Sequence, residues 1–290
     1  MLFVIARNEA ISALYRMASI MLPAHFTFYL CYSIETVQFP IDITIGNFSI
    51  SSHLVFETLG FIVGFRYYLY LRKQQIDHIP ESNRAIILIG AALGGLLFSR
   101  LIGALENPGA FFHASNPWLY FYANKTIVGG LLGGLFGVEI IKKFIHEKRS
   151  SGDLFTFPII LALIIGRIGC FTMGVHEDTY GTVTNSIFGM NLGDGMKRHP
   201  VTLYEIFFLI CLWIALRLIE NRVKFKNGYR FQFFMIAYLI FRFSVDFIKP
   251  GDKYFYNLGT IQICCIFGLI YYSKTIYRIL FKPSLLIAHE

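Results

Sequence analysis

The stretch FTFPIILALIIGRIGCF, from Phe155 to Phe171, carries one charge, Arg167, in an otherwise apolar run. Wound as an α-helix at 1.5 Å per residue it covers roughly 25 Å, close to the hydrocarbon thickness of a bilayer. Similar stretches run from Leu54 to Leu71, Ala85 to Gly103, Thr126 to Ile141, Leu203 to Leu218, Phe231 to Ile248 and Leu258 to Ser273. The pattern predicts an all-α, polytopic membrane bundle with seven transmembrane helices. Composition agrees: of 290 residues, 55% are hydrophobic and 15% charged, where a soluble domain carries about 25% charged residues. A disordered or soluble globular chain is thereby excluded.

The net charge of +8 is spread over the short connections rather than gathered on one soluble face, which argues for membrane orientation and against a nucleic-acid partner. Arg72, Lys73, Arg84, Lys142, Lys143, Lys148, Arg149, Arg217, Arg222, Lys224, Lys226, Arg230, Lys274, Arg278 and Lys282 fall in the first, third and fifth connections and the tail. The other connections hold only Lys125, Lys197, Arg198, Lys249 and Lys253. The positive-inside rule then predicts an N-terminus outside and a C-terminus in the cytoplasm. The fourth connection, Thr172 to Val201, reads as ordered turns over the outer leaflet. Residues 1–40 read as an N-terminal extension, either an interfacial amphipathic segment or the product of an upstream start codon with the working protein beginning near Met21, and residues 41–290 as a single membrane domain. Cys31, Cys170, Cys211, Cys264 and Cys265 are scattered without CxxC spacing, implying neither a disulfide framework nor a metal site.

Arginines inside the apolar runs carry the functional signal. Arg66 is near a span end and can snorkel. Arg100, Arg167 and Arg242 each cost about 2.5 to 3.5 kcal/mol at a helix centre and must be compensated. Internal ion pairs are one solution, with Asp246 four residues beyond Arg242 and with Glu57, Glu139 or Glu205 for the others. The other is convergence of the guanidiniums on a phosphate in the outer half of the membrane, to which their permanently charged forks are suited. The GxxxG pairs Gly60/Gly64, Gly90/Gly94, Gly129/Gly133 and Gly130/Gly134 predict close helix packing, or room for acyl chains beside Val128-GGLLG-Gly134. In Arg198-HPVTLY-Glu205, Thr202 and Glu205 predict a capping box, and His199 and Tyr204 interfacial anchors.

Taken together, GRIGCF (166–171), Gly174, Tyr180-Gly181, RHPVTLYE (198–205) and FRFSVD (241–246) resemble the prolipoprotein diacylglyceryl transferase family, over about Asp42 to Tyr272. The resemblance implies a multi-pass enzyme of the bacterial cytoplasmic (inner) membrane. Such an enzyme transfers the diacylglyceryl group of phosphatidylglycerol to the lipobox cysteine of a lipoprotein precursor and releases glycerol phosphate, with no metal or soluble cofactor. It places essential arginines at Arg167 and Arg242, a further arginine turn at Arg100, the motif glutamate at Glu205 and the signature glycine at Gly181. Cys170, His199 and Asp246 fall with these on the substrate-binding side. The chain departs from the family at Cys170, where asparagine is usual, at Val128, where a histidine thought important for activity stands, and at His53, which aligns with a tyrosine. His53 is accordingly the replacement candidate for a catalytic base, with Glu57 one turn below to orient it. A second possibility is a lapsed or rerouted member that binds or transports phospholipid, or modifies an acceptor other than a lipoprotein.

Overall fold

The computed structural model describes residues 38–45, 48–75, 77–254, 256–282 and 286. The expectation for residues 1–40 therefore lies almost wholly outside the described part. A short antiparallel hairpin, β1 (Asp42–Ile45) and β2 (Phe48–Ser51), leads into the first helices, α1 (Ser52–Gln74) and α2 (Glu81–Ala104). Two short helices, α3 (Pro108–Phe112) and α4 (Pro117–Ala123), precede α5 (Ile127–Phe144) and α6 (Asp153–Met173). A two-residue hairpin, β3 (Met190–Asn191) and β4 (Lys197–Arg198), follows. The chain closes with α7 (Val201–Glu220), α8 (Tyr229–Val245), α9 (Thr260–Tyr271) and α10 (Ser273–Phe281). The protein is mostly helical, 68%, and the small hairpins are the departure from an all-α reading.

By length and apolarity, α1, α2, α6, α7 and α8 can each cross a membrane, and α9 with α10 forms a sixth unit bent by 63°. The chain is a multi-pass membrane protein. Its large side chains point outward in a way no water-soluble surface sustains, Phe61 at 72% and Leu93 at 63% exposure among them. The stretch expected as a span from Leu258 to Ser273 forms α9, Thr260–Tyr271, and α10 bends away beyond it, where apolar sequence gives way to Ser273, Lys274 and Thr275. The stretch expected as a third span is α5, whose last turns carry Glu139, Lys142 and Lys143.

Glycines set the helix pairing. A Cβ on Gly133 would lie 2.3 Å from the Gly94 carbonyl oxygen and from Phe98 Cβ, so α5 meets α2 backbone to backbone. A Cβ on Gly60 would lie 2.8 Å from the Ala162 carbonyl oxygen, and α1 meets α6 in the same manner. In Val128-GGLLG-Gly134 the neighbours nearest Gly129, Gly130, Gly133 and Gly134 lie largely on α2, so these glycines serve close helix packing. The core between the pairs is filled by Tyr68, Phe157, Ile160, Leu209, Phe234, Met235 and Leu239.

At the basic end of the bundle the connections are locked by charge. Arg84, nearly fully buried, donates from Nε to Asp77 Oδ2 at 2.8 Å, from Nη2 to Asp77 Oδ1 at 2.5 Å and from Nη1 to the Ser151 carbonyl at 3.0 Å. Burial works against the Asp77 carboxylate, but hydrogen bonds from Arg84 and the Ile79 amide, with the charges of Arg84 and Arg72, outweigh it and hold Asp77 below the usual carboxylate range. A lowered pKa means that this stabilisation is present above the unfolded-state value and is lost as pH falls through the folded one. Asp77→Ala leaves a buried guanidinium without its counter-ion and is expected to cost about 3 to 5 kcal/mol. Thermal unfolding of the full chain in detergent measures this, and a midpoint unchanged from wild type would refute the assignment.

Candidate active site

Glu205, in the second turn of α7, has 0% exposure. Its Oε2 receives Arg167 Nη2 at 2.9 Å and Arg242 Nη1 at 3.3 Å, while its Oε1 accepts the Tyr238 hydroxyl at 2.7 Å. Arg167 sits near the C-terminal end of α6 and Arg242 in the last turn of α8, so three helix ends meet on one carboxylate. The local sequence explains the register. Pro200 caps α7 and starts it at Val201, which turns Glu205 inward, whereas the expected capping box needs Thr202 outside the helix. Thr202 is instead a helical residue, and no side-chain cap forms.

Two guanidiniums share one carboxylate, so the cluster carries one uncompensated positive charge in a buried setting. Nε of Arg167 and Nε of Arg242 are both buried without a hydrogen-bond partner. This is an anion-binding arrangement: donors are already oriented and their charge is only half offset. The expected Arg242–Asp246 pair does not form this way. Arg242 turns inward to Glu205, and Asp246 lies in the 3₁₀ turn Asp246–Ile248, where Lys253 Nζ reaches its Oδ2 at 3.4 Å and its carbonyl at 2.9 Å. Arg100 also stands apart: it lies over the Tyr122 ring at 4.7 Å, its Nε is buried without a partner, and among the described residues no hydrogen bond or ion pair joins it to Glu205. Glu139 pairs with Lys142 at 3.4 Å rather than with an arginine.

A second polar group adjoins the first through Cys170. Arg167 Nη1 approaches Cys170 Sγ at 3.5 Å, and that thiol is 4.0 Å from Glu177 Oε1. Glu177 Oε2 bonds His53 Nδ1. Glu57 is 3.5 Å from His53 Nε2, but both its oxygens are taken by Lys125 Nζ at 2.5 Å, so Glu177 rather than Glu57 is the closer partner of the ring. His53 can sit here because Gly169 allows it: a Cβ on Gly169 would lie 3.2 Å from His53 Cα. Donor atoms of His53, Cys170 and Glu177 lie within 4.8 Å of one another and have metal-ligand chemistry, a grouping that sequence spacing alone does not reveal.

The loop after α6 closes over these groups. A Cβ on Gly181 would lie 2.6 Å from His199 Cβ and 2.7 Å from its carbonyl oxygen, so only glycine permits the strand crossing there. Gly181 N donates to the His199 carbonyl at 2.9 Å, His199 N to the Thr182 carbonyl at 3.1 Å, and Thr182 N to the Ile248 carbonyl at 2.8 Å. The loop is thus strapped to the end of α8. His199 Nδ1 is 3.0 Å from the Tyr204 hydroxyl, a positioning contact rather than part of the charged cluster. Tyr238, Glu177 and Lys249 were missed by sequence reasoning. Lys249 follows directly on the 3₁₀ turn; burial and the Arg242 charge push its pKa down, against Glu106 and Asp246. Burial pushes Glu106 up, against the pull of Lys249 and Arg242.

A model of the prolipoprotein diacylglyceryl transferase family matches residues 40–277. The chain belongs to that family. A phosphatidylglycerol–prolipoprotein diacylglyceryl transferase of Rickettsia felis is 30% identical over 262 residues, covering 86% of this chain and 93% of the relative. Enzymes of the same name from Ehrlichia ruminantium, 30% identical over 228 residues with 73% and 84% coverage, and Rickettsia conorii, 29% identical over 258 residues with 86% and 93% coverage, are similar. The chain is a transferase of this family. Val128 lies in the first turn of α5. At 1% exposure it is part of the apolar core, so no titrating group occupies that place.

The shared carboxylate makes a graded prediction. Glu205→Gln leaves two buried guanidiniums facing each other without a counter-charge, an expected loss of about 3 to 5 kcal/mol. Tyr238→Phe removes one donor and is expected to cost about 1 to 3 kcal/mol. Denaturation of both variants in the same detergent checks the order, and equal losses would mean that Glu205 is not the common counter-ion.

Proposed function

We propose that this protein transfers the diacylglyceryl group of phosphatidylglycerol to the lipobox cysteine of lipoprotein precursors in the bacterial inner membrane, releasing glycerol phosphate. The observation that carries the reading is the half-compensated Arg167–Glu205–Arg242 cluster with an unpartnered Nε on each arginine. The domain is residues 41–290, with seven spans counting α5 and the α9–α10 pair. The distribution of Lys and Arg supports an external N-terminus and a cytoplasmic C-terminus, and with that orientation the arginine cluster faces the outer leaflet.

In this reaction Arg167 and Arg242 hold the phosphodiester and stabilise charge growing on the leaving phosphate. The acceptor thiol, ordinarily with a pKa of about 8.5, gives up its proton, and its thiolate attacks the glycerol carbon beside the phosphate. One C–S bond forms, one C–O bond breaks, and glycerol phosphate departs. His53 is the base, with Glu177 holding its ring. Cys170, Gly181, His199 and Asp246 shape and position the substrate side, and Arg100 contributes from the neighbouring helix.

Val128 in place of the family histidine favours a second reading, a member that keeps the phosphate site without the transfer. Incubating the purified protein with phosphatidylglycerol and a lipobox peptide separates the two, with peptide mass and released glycerol phosphate as readouts. A diacylglyceryl mass gain, reduced about 10²- to 10³-fold in Arg242→Ala, is expected. Bound phospholipid with neither product would establish the second reading, and glycerol phosphate without a modified peptide would mean another acceptor. His53→Ala is expected to lower turnover about 10²- to 10⁴-fold with little change in lipid binding; equal loss of both sinks the base assignment. Val128→His places an imidazole in a closed apolar core and is expected to gain no activity in the same assay.

A further inference from the structure

The last helix has three chemically distinct faces, and the function above uses none of them. Ile276 and Ile279 pack on the bundle core and Thr275 is buried. At about 100° per residue, Leu280, Tyr277 and Phe281 share a second arc, and all three are exposed. Lys274 and Arg278 form the third arc, also exposed, and Lys282 continues it just past the helix end. Between the apolar and basic arcs lies an open cavity of about 400 Å³ lined by Ser273, Lys274, Tyr277 and Arg278.

The 63° bend after α9 turns this helix away from the direction of the span. The helix is anchored to the first turn of α8: Arg278 Nη1 donates to the Tyr229 hydroxyl at 2.7 Å, and Thr275 Oγ1 to Gln232 Oε1 at 2.6 Å. Tyr229 opens α8 and Arg242 lies in its last turn, so this site and the arginine cluster are at opposite ends of one helix. A helix with an exposed apolar edge and a basic edge side by side is shaped for the boundary where acyl chains meet headgroups.

We propose that α10 is an anionic-phospholipid docking site, in which Lys274, Arg278 and Lys282 take the headgroup while Tyr277, Leu280 and Phe281 lie against the acyl chains. Charge complementarity selects the occupant. A zwitterionic lipid offers no net charge to three cations, and a free anion makes no use of the apolar edge.

The test uses the full chain, delipidated in neutral detergent and titrated separately with dioleoyl phosphatidylserine and dioleoyl phosphatidylcholine, with lipid adducts counted by native mass spectrometry. The double variant Lys274→Gln, Lys282→Gln keeps the Arg278–Tyr229 hydrogen bond and alters only exposed side chains. Phosphatidylserine affinity is expected to fall about 25-fold, at about fivefold per cation near an anionic interface, with phosphatidylcholine adducts unchanged. Excess inorganic phosphate is expected to leave wild-type phosphatidylserine adducts in place. Unchanged phosphatidylserine binding in the variant overturns the proposal, as does an equal loss of phosphatidylcholine. Displacement by inorganic phosphate also overturns it, because the site would then take free anions rather than lipid. Transfer activity retained by the variant, where wild type shows it, shows that the result does not turn on the arginine cluster.

Discussion

The end of the bundle where α6, α7 and α8 meet depends on one buried carboxylate. Glu205 brings together Arg167 from α6, Arg242 from α8 and the Tyr238 hydroxyl from the same helix. Removing charge from water costs several kcal/mol per ion, and only close, hydrogen-bonded geometry repays it. The carboxylate meets that requirement because each of its oxygens has a donor. The arginines do not, since they share one counter-charge and keep an unpartnered Nε each. That imbalance keeps the three helix ends together while leaving binding capacity for an anion.

The loop after α6 then acts as a roof whose beams are backbone. Gly181, His199, Thr182 and Ile248 are joined in sequence by amide-to-carbonyl hydrogen bonds, so the ends of α6 and α8 are tied independently of their side chains. Beneath it, Arg167, Cys170, Glu177 and His53 form a continuous polar path from the arginine pair to the mouth of α1. The arginines and the imidazole are thus parts of one electrostatic unit, although α1 and α6 are separated by a long stretch of chain.

Much of this was legible in the residues. Apolar length alone located α1, α2, α6, α7 and α8 to within a few positions, and charges stranded in apolar sequence pointed to Arg167, Arg242 and Glu205. What failed were inferences that needed a side chain's direction. Asp246 has the right spacing to pair with Arg242, but inward rotation of Arg242 makes the spacing irrelevant. Thr202 and Glu205 have the spacing of a capping box, but the helix begins after Pro200, two residues too early. Glu177 carried no signal, because its role depends on a loop folding back over α1. The two short helices α3 and α4 did carry one: Asn107-Pro108 and Asn116-Pro117 each place a capping side chain before proline at the first helical position, and each asparagine Oδ1 accepts the expected amide.

The glycine seams have a mechanical meaning. Where α2 meets α5 at Gly94 and Gly133, and α1 meets α6 at Gly60 and Ala162, backbone lies against backbone with hardly a side chain between. Such a joint has no rotamers to rearrange, so it cannot breathe by small steps; it holds or it separates. The bundle is therefore built of two stiff two-helix planks with softer, side-chain-filled joints around them. Any lateral opening wide enough for a two-tailed molecule has to run through those softer joints, leaving each plank whole.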